Sequence, residues 1–310
     1  MNSVKNTKKM DTKNIKIKEV LSDGTVFYKP LADSVFKAMF VGRKNLLKFY
    51  LDMSMEGKVT VLDSNILELP YKSVWTKKQR VDVMVTLEGG RHAILEMNSS
   101  FYDGQHEKGL SYLCALFSNV IKSGSDYKNV DEAILINFTY GLPEHYPEKA
   151  VYVLTDKETG LEYSTKFKII EFNGSKILKA WYNNGNSKYF HVAMLALGKE
   201  ELERLSANGD KIMKEFVKSV KEINNDSDFI EFMSKEEDEE KTRNTYFANG
   251  KEVGQEEGYI NGEKHGKTVG ALENAKKVAK NMLKEHLPLE IIIKCTGLSE
   301  NEIEELKIEK

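Results

Sequence analysis

Two acidic residues, Asp82 and Glu96, lie on the two arms of one hairpin pattern: QRVDVMVTL, the turn residues Glu88, Gly89 and Gly90, then RHAILEMN. Strand side chains alternate between faces, so Val81, Val83, Val85 and Leu87 share one face and Asp82 and Met84 the other. On the returning arm His92, Ile94, Glu96 and Asn98 oppose Ala93, Leu95 and Met97. A turn symmetric about Gly89 sets Asp82 directly opposite Glu96, with Cβ atoms about 4.5–5.5 Å apart on one face. Carboxylates that close on a half-buried sheet repel unless a cation or a shared proton relieves them. A hard divalent ion such as Mg2+ does this through carboxylate oxygens while keeping several waters. Such an ion also activates a water and polarises a phosphoryl oxygen, which is what phosphodiester hydrolysis needs. The competing reading pairs one acid with Arg80, Arg91 or Lys108, and a different turn register would put the two acids out of line.

The elements around the hairpin supply further groups. From Gly104 to Lys122, Leu110, Leu113, Phe117, Val120 and Ile121 mark one helical face, with Gln105, Lys108 and Tyr112 on the other side at i, i+3 and i+7. Lys108 either lies over the hairpin and neutralises phosphate charge or belongs to a solvent-facing polar edge. Asp33 is placed to cap a first helix carrying Val35, Phe36, Met39, Phe40, Leu46, Leu47, Tyr50 and Leu51. Extended patterns follow in GKVTVLDSNILEL, EAILINFTY, VYVLT and STKFKIIEF, and helical ones from Lys199 to Ile223 and Phe229 to Met233. The order predicts an α/β fold, a mixed sheet flanked by helices. His92 shares the acidic face near the turn, whereas His145 and His191 have no acid or nucleophile at a telling spacing, and GxSxG, Walker A and HExxH motifs are absent.

With 310 residues, 40% hydrophobic and 30% charged, the chain has the composition of an ordinary soluble protein with one main domain and an appendage. No run nears the ~18 apolar residues of a membrane span, and the lysine-rich start has no apolar h-region, so a cytoplasmic protein is expected. A net charge of −2 gives no global pull toward nucleic acid. DNA binding would rest on local patches: Lys5, Lys8, Lys9, Lys13, Lys16 and Lys18 in the N-terminal arm, or Lys72, Lys77, Lys78, Arg80 and Arg91. Cys114 and Cys295, alone in apolar helical contexts, are expected to be buried thiols.

An acidic run from Glu236 to Glu240 marks a boundary, and glycine then recurs at every fourth residue: Gly250, Gly254, Gly258, Gly262, Gly266 and Gly270. Such a stripe suits either a self-association helix or a flexible linker. The last segment has a helix-turn-helix outline, its final helix opened by a capping box from Ser299 to Glu302. Glu300, Glu302, Glu304 and Glu305 on that helix would repel phosphate, which favours a protein-contact module over a DNA reader. The expected organisation is a basic arm over 1–28, a main domain over 29–235, an acidic and glycine-spaced linker or helix over 236–270, and a helical module over 271–310.

In order, LADSVFKAMF, RVDVMVTLEGG, AILEMN, the stretch from Lys108 to Tyr112, GSDYKNVDEAILINF and the glycine-spaced tail with CTGLSENEIEEL resemble the PD-(D/E)XK nuclease family transposases, also called Rpn-type recombination-promoting nucleases. The resemblance covers residues 29 to 140 well and 245 to 308 moderately. It implies a restriction-endonuclease-like core with a helical C-terminal tail, and a Mg2+-dependent DNA endonuclease, with Mn2+ as a substitute, tied to recombination, mobile elements or defence. By the same resemblance Asp82 and Glu96 match the acidic metal ligands. Asp33, Phe36 and Lys37 match a first-helix motif, Lys108 falls where the family commonly shows arginine, and Tyr112 matches an aromatic position. Asn98 stands in place of the signature lysine, where this family commonly has glutamine. An amide orients a water but supplies no positive charge. Either Lys108 substitutes from the helix, or the chain binds metal and DNA while cutting slowly or not at all. The alternative role is a nuclease-fold interaction protein acting through its tail, with a homo-oligomer formed along the glycine stripe.

Overall fold

The computed structural model describes residues 15–41, 43–65, 68–69, 79–121, 126–184 and 187–308. The N-terminal lysines before Lys16, and Lys72, Lys77 and Lys78, lie outside them. The chain divides into two compact units, Met1–Met233 and Ser234–Lys310. In the first, β1 (Lys18–Val20) and β2 (Val26–Tyr28) precede α1 (Asp33–Phe40) and α2 (Lys44–Met55). Next come β3 (Val61–Asn65), β4 (Glu68–Leu69), β5 (Gln79–Arg80), β6 (Val83–Leu87), β7 (Arg91–Asn98) and α3 (Gln105–Val120). Then follow β8 (Glu132–Thr139), β9 (Lys149–Thr155), β10 (Glu162–Asn173), α4 (Gly174–Asn184), α5 (Phe190–Met194), α6 (Lys199–Asn208) and α7 (Lys211–Asn224).

The central sheet has six strands in the order β3-β6-β7-β8-β10-β9. β7 and β8 pair in parallel, as do β8 and β10, and the remaining pairs are antiparallel. A parallel β7–β8 pair needs a crossover, and α3 provides it, covering one face. The other face carries the larger core, where Val83, Val85, Leu95, Ile136, Phe138 and Phe172 meet Phe36, Phe40, Leu47 and Tyr50. Covered on both sides, β8 reads as the near-continuous apolar run EAILINFT rather than an alternating one. Phe138 stacks on Phe172 at 5.4 Å, and Phe36 meets Phe40 edge-on at 4.7 Å; such pairs add about 0.5–1.5 kcal/mol each beyond the area they bury.

Glycines mark two close approaches. A Cβ on Gly109 of α3 would stand 3.0 Å from Leu135 Cδ2, so this helix lies close on β8. A Cβ on Gly174 would come within 2.6 Å of the Tyr140 ring, which is fixed by the bond its hydroxyl donates to the Val192 carbonyl.

Several sequence expectations are corrected. The single first helix is two, because the backbone at Val41 is extended and α2 begins only at Lys44. Asp33 is not the cap: Ala32 occupies that position, and Asp33 is the first helical residue, its carboxylate accepting a bond from Lys37. On α3 the buried face runs through Gln105, Gly109, Tyr112, Leu113 and Leu116, while Leu110 is exposed. Gln105 and Tyr112 therefore face the sheet rather than solvent. Val81 packs with the α3 cluster and not with Val83 and Val85, because regular strand geometry begins only at Val83. Cys114 and Cys295 are both exposed, since neither falls on the buried stripe of its helix.

In the second unit, α8 (Ser227–Lys284, which begins in the first unit), α9 (Leu289–Thr296) and α10 (Glu300–Ile308) gather Ala279, Ile292, Leu298, Ile303 and Leu306 into a small core. The capping box at α10 is formed: the Ser299 amide donates to Glu302 Oε2 at 2.7 Å, and the Glu302 amide donates to Ser299 Oγ at 3.4 Å. The glycine-spaced stretch is helical, and nothing stands within 4 Å of a Cβ built on Gly254, Gly258, Gly262, Gly266 or Gly270. No described helix is long and apolar enough to cross a membrane.

Candidate active site

The β6–β7 ladder pairs Val83 with Leu95 and Leu87 with Arg91, the register centred on Gly89. Gly89 and Gly90 take φ values of +79° and +67°, a left-handed turn that glycine adopts without the steric cost of a Cβ. One step past the last ladder pair, the Asp82 backbone N–H donates to Glu96 Oε1 at 3.0 Å, and the Met97 N–H donates to Asp82 Oδ2 at 2.8 Å. Each carboxylate is thus held by the backbone of the opposite strand, and the two lie together.

Asp82 is 6% exposed and Glu96 3%. Burial, then the neighbouring charges of Glu96 and Asp33, pushes the Asp82 carboxyl well above the ordinary carboxylate range. Burial also raises Glu96, against the pull of Lys108 and the Asp82 backbone amide.

Two lysines offset this pair. Lys37 Nζ sits 3.2 Å from Asp82 Oδ1 and 2.5 Å from Asp33 Oδ2, and Lys108 Nζ sits 3.5 Å from Glu96 Oε2. Burial opposes the charge on both lysines, but the facing carboxylates outweigh it and hold both above the ordinary lysine value. Lys108 also lies 5.2 Å from the Tyr112 ring centroid, within cation–π range. The competing reading of the sequence, an acid paired with Lys108, is thus present in the geometry, though the two acids remain adjacent. The sequence matched Lys37 to a motif but gave no hint that it reaches Asp82.

Asn98 and Gln105 do not touch the carboxylates; their amide nitrogens both reach Thr139 Oγ1, at 3.3 and 3.4 Å. His92 is paired with Asp131 at 3.0 Å and stands apart from the acids. His191, packed against Phe49 and Phe190, is lowered by burial to about 4 and stays neutral. Sequence reasoning missed Asn137, Thr139 and Glu171, which are buried on the α3 face of β8 and β10. The available signal was a polar residue at alternate positions inside an otherwise apolar strand.

Among the described residues no group of three or more His, Cys, Asp and Glu side chains is arranged to hold a metal ion. The donor set nevertheless suits a hard divalent cation: two adjacent carboxylates, both raised first by burial, with Asp33 nearby, gain stability from positive charge brought between them. Water would complete such a shell.

A family model described as PD-(D/E)XK nuclease family transposase matches residues 30–249. A second, described as the C-terminal HTH domain of the Rpn/YhgA-like nuclease family, matches residues 272–307, in keeping with the helix-turn-helix outline of the tail. No curated protein and no solved structure matches the chain. The mixed sheet flanked by helices, with helices at the C-terminus, is the α/β restriction-endonuclease-like fold.

Proposed function

Given that this chain belongs to the PD-(D/E)XK nuclease family transposases, we propose that it is a metal-dependent DNA endonuclease acting in recombination, mobile-element movement or defence. The observation that carries this reading is the adjacent, buried Asp82 and Glu96 carboxylates, each held by the other strand's backbone. They would hold Mg2+, with Mn2+ as a substitute, and the bound ion would supply a Lewis acid and a water of lowered pKa.

The chain's own residues do the rest. Asp33 already shares Lys37 and keeps that charge paired when Asp82 turns away from it. Lys108, 39% exposed at its side chain, swings from Glu96 to the scissile phosphate and neutralises its growing charge. Tyr112 beneath the ammonium limits where it travels. Asn98 orients water without adding charge.

Residues 29–235 form the nuclease domain on this reading, with 1–28 a basic arm, 236–270 the glycine-spaced helix and 271–310 the helix-turn-helix-like module. The tail serves partner binding: DNA through surfaces other than the acidic α10, and a second copy through the glycine stripe. The protein works in the cytoplasm.

A second reading, a catalytically weak or inactive interaction protein, is favoured by Asn98 in the lysine position and by the lysine beside each carboxylate. Plasmid DNA separates the two. The endonuclease reading expects supercoiled plasmid to become nicked and linear with Mg2+ and to stay intact with EDTA; plasmid unchanged under every divalent ion tried would leave the second reading.

A further inference from the structure

The central sheet ends in an edge that nothing in its sequence protects. β9 is the outermost strand and pairs on one side only, with β10. Edge strands are commonly blunted by charged residues or proline, because a free row of backbone groups is a template for another strand. Between Lys149 and Asp156, β9 reads AVYVLT and has neither. Val151 is 49% exposed, Tyr152 44%, Val153 40% and Leu154 45%, so apolar side chains stand open on both faces of the strand.

Hydrogen bonds at the two ends of β9 show which of its backbone groups turn outward. The Asn173 N–H donates to the Glu148 carbonyl at 3.0 Å, and the Asp156 N–H donates to the Leu161 carbonyl at 2.8 Å. Glu148 and Asp156 thus both turn toward the β10 side, and in an antiparallel ladder every second residue does so. Lys149, Val151, Val153 and Thr155 therefore turn their N–H and C=O groups to the free edge.

A second copy of the same strand fits that edge. The uncharged stretch lies between a lysine and an aspartate, so antiparallel pairing sets the Lys149 end of each strand at the Asp156 end of the other. A two-fold axis normal to a continuous sheet keeps like faces together, so one residue must face its own copy. With Tyr152 at the axis, Val151 faces Val153 of the second copy and Lys149 faces Thr155, and all four outward residues find both partners. With Val153 there instead, Lys149 would face Lys157; with Val151 there, Thr155 would face Pro147, which has no N–H to give.

We propose that β9 is a self-association edge, which pairs antiparallel with β9 of a second copy about Tyr152 and continues the sheet through both. β7, which carries Glu96, lies three strands in from β9, so the seam is apart from the carboxylate pair. It is also a different surface from the glycine stripe, and the proposal does not depend on the nuclease reading.

The test uses the full-length chain with Cys114→Ser and Cys295→Ser, since both native thiols are exposed, and reads disulfide dimers by non-reducing electrophoresis under mild oxidation. Tyr152→Cys faces its own copy in a pair that is not hydrogen-bonded, at a Cα separation of about 4.5 Å, within disulfide range. It crosslinks. Val151→Cys or Val153→Cys alone meets its own copy only diagonally and crosslinks about tenfold more slowly, whereas a mixture of those two chains forms the mixed dimer. Val153→Pro removes only an outward N–H, so the melting temperature holds while Tyr152→Cys crosslinking slows by about tenfold. A Tyr152→Cys chain that stays monomeric, three single cysteines that crosslink at one rate, or crosslinking untouched by Val153→Pro overturns the proposal.

Discussion

Asp82→Asn and Glu96→Gln each abolish DNA cutting, by about 10³-fold or more, while the melting temperature of the metal-free protein at neutral pH rises. Both substitutions keep shape. An amide oxygen at position 82 still accepts from Met97, one at position 96 still accepts from Asp82, and the new NH2 group replaces the charged oxygen that faced a lysine. Lys37 keeps Asp33 as partner, and the partly exposed Lys108 turns to water. What disappears is the cost of ionising two adjacent buried acids.

The pH dependence gives the sign. Both carboxyls have folded-state values above their ordinary ones, 3.8 for Asp82 and 4.5 for Glu96, so between the ordinary and the raised values the folded chain binds more protons than the unfolded one. Stability from these groups is complete below the ordinary values and is lost as pH rises through the raised ones. The gap in melting temperature between either variant and wild type therefore widens as pH rises from 4 through that window. Calorimetric melts in EDTA across that range check this. Variants that melt well below wild type at neutral pH would mean that the acids stabilise the fold as ion-pair partners, and continued cutting would remove them from the chemistry.

Lys108→Met lowers the cutting rate by about 100-fold with little change in DNA affinity. Asn98 contributes no charge where the signature has lysine, so on this account Lys108 is the cation available to the phosphate from α3. Single-turnover rates at saturating DNA separate that role from binding. Lys108→Arg keeps the charge and retains part of the rate, and Asn98→Lys placed in the Lys108→Met background restores some of it. Should Lys108→Met cut as fast as wild type, Lys108 is only a partner to Glu96, and the charge must come from elsewhere.

The hairpin was legible in the sequence because a Gly-Gly turn fixes its register, and a slip of one residue would turn every buried valine outward. The same logic found the Asp82–Glu96 pairing but not the bend that sends Val81 to the other side, since alternation assumes regular strand to its end. α3 was read right in part: Leu113 is buried and Phe117 and Val120 pack on the same cluster, but Leu110 is exposed, and the sheet beneath, polar at Glu96, Asn137 and Glu171, has Gln105 and Tyr112 turned inward. The break between α1 and α2 was passed over because Leu46 follows Met39 at i+7, although Gly42 in the sequence between them is a helix-breaking signal. Thr139 and Glu171 were hidden in strands that read as apolar runs, and only the parallel register shows that they share a row with Glu96 and Asn98.

The central claim, that two carboxylates on neighbouring strands hold one divalent ion, is met most directly by titrating Mn2+ into the metal-free full-length chain and following the free ion by electron paramagnetic resonance. The account predicts saturable uptake by the wild type that is lost in both Asp82→Asn and Glu96→Gln. Uptake that persists in both variants, or none in the wild type, would contradict it.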